Sequence, residues 1–522
     1  DSQSPNSVTR KKAMAAEAQV PLPIELDCAI VGAGWTGTTT AAALKAFGVQ
    51  KFALFEAGPT AAHFWAGNYD RIQLHTPWHS VPCDGGAALY EYPMFKSKRM
   101  VLSYLQDYLA RHNLEAHTHF NERVVSIKNE GPGQWLLQTD AEGARRSYRC
   151  RYLAICTSKL RVPLEPATLK NRQLFAGRVL HSREFRNGRS FAGKDVVVAG
   201  TGNSGAEISA ELVEQGARSV TLLAKGPRVF LPLYKLGRMA WIAWYMGFLH
   251  EEPMFKDFSL HPSTDEFRES VAKKDKMMHG LVVDLTPYGV ESTGSGFQAS
   301  NIKEGRIGTF DQGAITFIRS GKIKIVKAHI SGFTESSVLL DNDTELKADV
   351  VILATGFGPF LEEFLQEPER FLARGQEGKG IPLSCLSPLT DGRSRSTVDD
   401  SLFFPAFDQA ANAGTAMGFW GWSTGFLMAQ RLGLVPAEAT FGLDMLPERQ
   451  KDVIFRRNLR RFLFVASAGL ATGSLCGQAR LFGKSKFWQQ VWGGALGSAL
   501  AVVSLQLARG SREGLGKLLS SL

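Results

Sequence analysis

The chain has 522 residues, 44% apolar and 21% charged. At roughly 100–200 residues per domain, that length accommodates two to four domains; the composition excludes a wholly disordered chain, a collagen and a disulfide-stapled mini-protein. Lys+Arg 60 against Asp+Glu 50 leave +10, an excess too modest and too local for a nucleic-acid face.

Six cysteines (Cys28, Cys83, Cys150, Cys156, Cys385 and Cys476) form no C-x-x-C pair and no zinc-type cluster. They read as small apolar residues, and no metal site is expected. Residues 1–21 are polar or small, with no apolar core of a signal peptide, and read as a flexible tail.

The first structured segment runs into Val31 and then Gly32-Ala-Gly34-Trp35-Thr-Gly37. This is an apolar strand, a glycine turn and a helix start. The first glycine permits the tight turn, the second lets backbone approach a pyrophosphate, and the third lets helix and strand pack closely. The next strand ends at Glu56, 19 residues past Gly37, where a carboxylate can accept from ribose hydroxyls. Trp35, inside the turn, reads as packing against the ribityl region of a flavin.

The pattern repeats at Asp195–Ala199, Gly200-Thr-Gly202-Asn203-Ser204-Gly205. Here the following strand ends at Lys225, with Arg228 three residues on, and the acid is missing. Cations at that point suit a 2′-phosphate, which favours NADP, while Asn203 and Ser204 can hydrogen-bond its phosphates. Two fingerprints of opposite charge preference imply two dinucleotides, with FAD at the first and NADPH at the second. A third buried strand, Lys347–Leu353, ends in Ala-Thr355-Gly356. It is expected to return to the first sheet, placing Thr355 and Gly356 at the FAD site.

Between the fingerprints lies Phe175-Ala-Gly177-Arg-Val-Leu-His181-Ser-Arg-Glu-Phe185. It resembles the F-x-G-x-x-x-H-x-x-x-[Y/F] signature of class B flavin-dependent monooxygenases. Tyr69–His75, Asp311–Lys322 and Gly418–Gly425 fit as well, and together they are similar to the plant YUCCA branch, whose members oxidatively decarboxylate indole-3-pyruvate. The resemblance covers roughly 25–435. It implies an α/β fold of two Rossmann-like domains, the NADP domain inserted into the FAD domain. It also implies that NADPH reduces FAD and that O2 adds to the reduced flavin as a hydroperoxide, which oxygenates a small nucleophilic or carbonyl substrate. The family's Ala-Thr-Gly turn before the signature reads Cys156-Thr157-Ser158 here. No protein triad is needed for such chemistry, because the cofactor carries it. His181 and Arg71 are the candidates for a direct role, with Arg71 and Arg319 alternatively in structural ion pairs. The apolar patch around Trp241, Trp244 and Tyr245 reads as core or lid.

The C-terminal part stands apart. Between Val453 and Arg512 there is no Asp or Glu, and two uncharged runs span Phe462–Ala479 and Phe487–Ala508. As helices they would be about 27 and 33 Å long, against a bilayer core of about 30 Å. Glycines recur every four residues (Gly469, Gly473, Gly477; Gly493, Gly497), a pattern that lets helices approach closely in lipid. With flanking arginines and lysines, this predicts a helical hairpin anchored in the endoplasmic reticulum or an organelle membrane, in contact with lipid and a membrane complex. The expected divisions are 1–21 tail, 22–185 FAD domain first half, 186–330 NADP domain, 331–450 FAD domain second half and 451–522 hairpin. The alternative function is a catalytically impaired structural subunit of a membrane complex.

Overall fold

A computed structural model describes residues 22–75, 95–166, 169–233, 265–278, 282–293, 296, 308–374, 381–382, 384–391, 394–405, 407 and 413–441. The predicted C-terminal hairpin and the patch around Trp241 lie outside the described residues. Among the described residues, no helix is long and apolar enough to cross a membrane.

Two sheets dominate. In the first, β1 (Ile24–Val31) lies between β2 (Phe52–Phe55) and β6 (Ala144–Ile155), parallel to both, with β3 (Thr118–His119) beyond β2. β4 (Arg123–Gly131) and β5 (Gln134–Ala141) extend it as an antiparallel meander onto β6. Central strands buried on both faces read as unbroken apolar runs, and Phe52–Phe55 is buried at every position. The second sheet is wholly parallel: β7 (Arg178–His181), β8 (Asp195–Ala199), β9 (Ser219–Leu223), β10 (Ile323–Val326) and β11 (Val350–Leu353), in the spatial order β10-β9-β8-β11-β7.

One expectation is corrected here. The strand at 347–357 joins the second sheet, between β7 and β8, instead of returning to the first. Val350 and Ile352 enter one core layer of that sheet, Val351 and Leu353 the other. What returns to the first sheet is β12 (Leu402–Phe403), parallel to β6. The second sheet therefore draws on residues 178–353, a wider insert than 186–330. A short apolar strand carries no label for which of two parallel sheets will receive it.

Helix α1 (Trp35–Ala46) follows the first glycine turn and is buried from Trp35 through Leu44. A helix without a polar face must be covered on every side. One side faces β1 and β2, another faces α2 (Lys98–Arg111), and a helix late in the chain covers the rest. The second turn leads into α3 (Asn203–Glu214), and α4 (Ala413–Arg431) packs along α1. A Cβ on Gly421 would land on the Thr39 hydroxyl and one on Gly425 would lie 2.5 Å from the Ala43 side chain, so α1 and α4 pack at close range. The buried threonines return their hydroxyls to their own helix, Thr38 to Gly34 O at 2.8 Å and Thr40 to Thr36 O at 2.8 Å.

Candidate active site: two glycine cradles

Both fingerprints form the same device. The Gly32 amide donates to Phe55 O at 2.7 Å, and Gly32 takes φ +101°, so only glycine makes this turn without strain. A Cβ on Gly37 would fall on the Gly32 carbonyl oxygen, whereas one on Gly34 would meet nothing within 4 Å. The glycine that faces outward is thus the one over which a ligand's backbone approach would occur. The second turn matches: Gly200 takes φ +117°, and a Cβ on Gly205 would fall on the Gly200 carbonyl. Gly34 and Gly202 cap α1 and α3 without any side-chain hydrogen bond, and neither first turn holds an acid. Each helix start therefore offers backbone amides and its positive dipole end to an anion. These features fit a dinucleotide pyrophosphate at both places.

Each turn rests on a strand end of similar sequence. Gly32 faces the Cys156 carbonyl at 3.0 Å from its notional Cβ, and Gly200 faces the Ala354 carbonyl at 2.5 Å. Cys156-Thr157-Ser158 and Ala354-Thr355-Gly356 are therefore equivalents in the two halves. Ser158 sits at φ +74° and Gly356 at φ +92°. The left-handed turn survives in the first half although the residue there is not glycine, at a cost of about 1–2 kcal/mol. Thr355 and Gly356 consequently belong beneath the second turn. The Thr355 hydroxyl donates to Leu164 O, and the Leu164 amide to Gly356 O at 2.9 Å, which ties this end to the segment after β6.

The strand ends beyond the two turns are equally defined. Glu56 accepts from the Ala33 amide at 2.9 Å and from the Gly58 amide at 2.9 Å, so its carboxylate is fixed beside the first turn. Trp35 is buried, its ring 5.6 Å from that of Tyr104. At the second turn Lys225 is exposed, and the Arg228 guanidinium lies 3.9 Å from the notional Gly202 Cβ, over the helix start. Asn203 accepts from the Phe310 amide at 2.7 Å and reaches Gly308 O at 3.4 Å, so it braces the 308–310 strand. Ser204 lies near the Tyr69 oxygen.

The carboxyl ends of the two sheets meet. The Ala62 amide donates to Ala33 O at 2.8 Å, docking segment 62–66 on the first turn. Phe64 from that segment meets Phe357, just past β11, with centroids 6.1 Å apart. His181, at the end of β7, stands edge-on to Phe357 at 5.1 Å. Arg183 lies over the Phe64 ring at 4.2 Å and donates to Phe64 O at 2.9 Å. The signature segment thus clamps one half to the other.

His181 is 2% exposed. Its Nδ1 accepts from the Arg183 amide at 3.1 Å, while Nε2 faces the Gly356 carbonyl without closing a hydrogen bond. Burial pushes its pKa down, with the Gly356 carbonyl pulling the other way. The imidazole is therefore neutral at pH 7. The Thr157 hydroxyl, beside the first turn, is also buried without a hydrogen-bond partner. Arg71 lies elsewhere, paired with Glu214 at 3.0 Å and with Gln312 O at 3.0 Å. Arg319 is exposed at the end of a short helix, Ala314–Arg319.

Sequence reading passed over Phe64, Phe357 and the partner role of Glu207. Glu207 carried a signal: it is an acid in the helix that follows the second glycine turn, directly beyond Gly205-Ala206.

Two glycine-headed helices, each following a parallel strand of its own sheet, with the carboxyl ends of those strands converging, fit a dinucleotide-dependent oxidoreductase of the two-domain flavoprotein class. The family described as flavin-binding monooxygenase-like matches residues 87–242. The Arabidopsis thaliana protein named "Probable indole-3-pyruvate monooxygenase YUCCA9" is 31% identical over 349 residues, 66% of this chain and 78% of that protein. Among solved structures, the OTEMO complex with FAD and NADP aligns at TM-score 0.57 and 19% identity, over 79% of this chain and 85% of that one. The flavin-containing monooxygenase from Stenotrophomonas maltophilia aligns at TM-score 0.53 and 17% identity, over 78% and 99%. The chain belongs to the flavin-binding monooxygenase family. It is a flavin monooxygenase with FAD and NADPH as cofactors.

Proposed function

We propose that FAD lies across Gly32–Gly37 with its ribose at Glu56, and NADPH across Gly200–Gly205 with its 2′-phosphate toward Lys225 and Arg228. The observation that carries this is the pair of uncapped glycine-headed helices on sheet ends joined through Phe64 and Phe357. Bound FAD supplies hydride acceptance and oxygen activation; the protein supplies position and dryness. Helix amides hold the pyrophosphates and Glu56 orients the ribose. Phe64 and Phe357 wall the junction, and neutral His181 keeps a positive charge out of it. Arg183 anchors the wall from behind.

The substrate is a small carbonyl compound or soft nucleophile. The name of the Arabidopsis relative favours a 2-oxo acid carrying an aromatic ring. The deciding experiment offers purified, flavin-loaded protein with NADPH and O2 a panel of 2-oxo acids, sulfides and amines. Product formation, rather than NADPH loss alone, identifies the class. Flavin that stays oxidised under anaerobic excess NADPH would overturn the catalytic reading in favour of a structural subunit.

We also propose that 451–522 attaches the enzyme to an organelle or endoplasmic reticulum membrane, on the strength of the two uncharged runs and their basic flanks.

A further inference from the structure

Glu207, four residues into α3, is fully buried. Its carboxylate accepts from the Tyr69 hydroxyl at 2.8 Å and from His75 Nε2 at 2.7 Å. At that distance to a carboxylate, Nε2 carries the proton and donates. Both partners come from segment 69–75, which precedes the insert in sequence. The segment is held from the first domain: the Leu74 amide donates to Lys96 O at 2.9 Å, the Lys98 amide to Ile72 O at 3.1 Å, and Lys98 Nζ pairs with Asp70 at 3.1 Å. These donors and acceptors lie at the start of α2, which packs on α1. The Tyr69 ring itself sits in the core of the second sheet, beside Ile208, Leu212 and Phe185. Arg71 adds a second tie, to Glu214 at the far end of α3 and to Gln312 O. Tyr69 and His75 thus both reach α3 at Glu207, in the second turn after Gly202.

We infer that Tyr69 and His75 are positioning residues that, through Glu207, fix α3 and its glycine turn against the first domain, and so set the approach of the nicotinamide to the flavin. A buried carboxylate needs its donors, and losing one leaves an unsatisfied charge-bearing group in the interior. The tie therefore resists rotation of one half on the other. Hydride transfer depends steeply on approach, because a shift of about 1 Å costs on the order of 100-fold. The Tyr69 hydroxyl and His75 Nε2 are both engaged by Glu207, which separates this role from cofactor binding. The inference rests on the proposed FAD and NADPH assignment.

The test is anaerobic stopped-flow reduction of the bound flavin by NADPH in Tyr69→Phe and Glu207→Gln. The expected result is a limiting reduction rate lowered about tenfold, the equivalent of about 1.4 kcal/mol. Flavin content and the NADP+ dissociation constant stay within about twofold. Hydrogen exchange of the cofactor-free protein gives a second readout: amides of 69–75 and 203–209 exchange faster in Tyr69→Phe, while those of 123–155 do not change. Should Tyr69→Phe fail to fold, His75→Gln at the partly exposed edge of the network serves in its place. An unchanged limiting rate overturns the inference, and so does a loss of rate that merely tracks loss of flavin and faster exchange throughout. Wild-type flavin that NADPH does not reduce would instead overturn the cofactor assignment itself.

Discussion

The Phe64 ring meets the Phe357 ring edge-on, their planes 77° apart, with the Arg183 guanidinium stacked on the outer face of Phe64. The contact joins a segment docked on the first glycine turn to the end of a strand in the second sheet. Both rings are half-buried, and together with the guanidinium they form one side of that junction. Replacing Phe64 with Ala opens the wall while leaving both turns intact. Flavin content is then retained, and hydrogen peroxide released per NADPH consumed rises several-fold, because water exclusion protects reactive flavin species. Peroxide yield measured against NADPH loss checks this.

The first turn separates two kinds of glycine. Gly37→Ala drives a methyl into the Gly32 carbonyl and disrupts the turn, so the protein purifies colourless with a lowered melting temperature. Gly34→Ala meets open space in the protein alone. It leaves the melting temperature of the flavin-free protein unchanged and weakens flavin binding, because the methyl occupies the surface a pyrophosphate would approach. Flavin absorbance per polypeptide and thermal melts of the flavin-free protein distinguish the two.

On the proposed assignment, Lys225 and Arg228 select the nucleotide. Arg228→Gln and Lys225→Gln together remove the cations facing a 2′-phosphate. A charge-assisted hydrogen bond contributes about 1.5–3 kcal/mol, so KM for NADPH rises roughly tenfold or more. KM for NADH changes little. Steady-state kinetics with both nucleotides measures the ratio, and an equal effect on the two would place these cations away from the 2′-position.

His181 gives the fold a pH dependence of definite sign. Its folded-state pKa is lowered, chiefly by burial, so the unfolded chain takes up the proton first as pH falls. The stability it contributes is complete above about pH 6.5, the ordinary histidine value, and is lost as pH drops below that toward the lowered folded value. His181→Gln removes this slope. Urea unfolding of both proteins at pH 7.5 and pH 5.5 should show the smaller loss in the variant.

Membrane attachment has its own readout. The whole chain should float with vesicles containing anionic lipid, and more weakly with neutral ones, through the basic flanks of the uncharged runs. A chain that stays at the bottom of the gradient with both vesicle types would rule out the anchor.

Much of this arrangement was legible in the sequence because its steric demands are local. Gly32, Gly37, Gly200 and Gly205 are dictated by the turns they form, and Glu56 follows at the length of one helix and one strand. The destination of Val350–Leu353 was not legible, since an apolar strand buried on both faces fits either parallel sheet. The clue lay in Ala354-Thr355-Gly356 itself, which repeats the role of Cys156-Thr157-Ser158. The Ser158 conformation was hidden for a different reason: serine seldom adopts positive φ, and only the surrounding packing enforces it. Asn203 reads as a phosphate ligand, and its brace to the neighbouring strand was not legible, because that partner lies more than a hundred residues on. Tyr69 and His75 could be quoted as a motif, yet their partner Glu207 is 132 residues beyond His75, and no local pattern reports such a pairing.

The burial of α1 also sets an order of synthesis. Its last faces are closed by α4, residues 413–431, and its sheet is completed by β12 at 402–403. A ribosome releases all the strands of the second sheet, which end at Leu353, well before it releases either. The half that carries the first glycine turn is therefore completed only by segments made after the whole second sheet, among them a helix almost four hundred residues downstream of the glycines it secures.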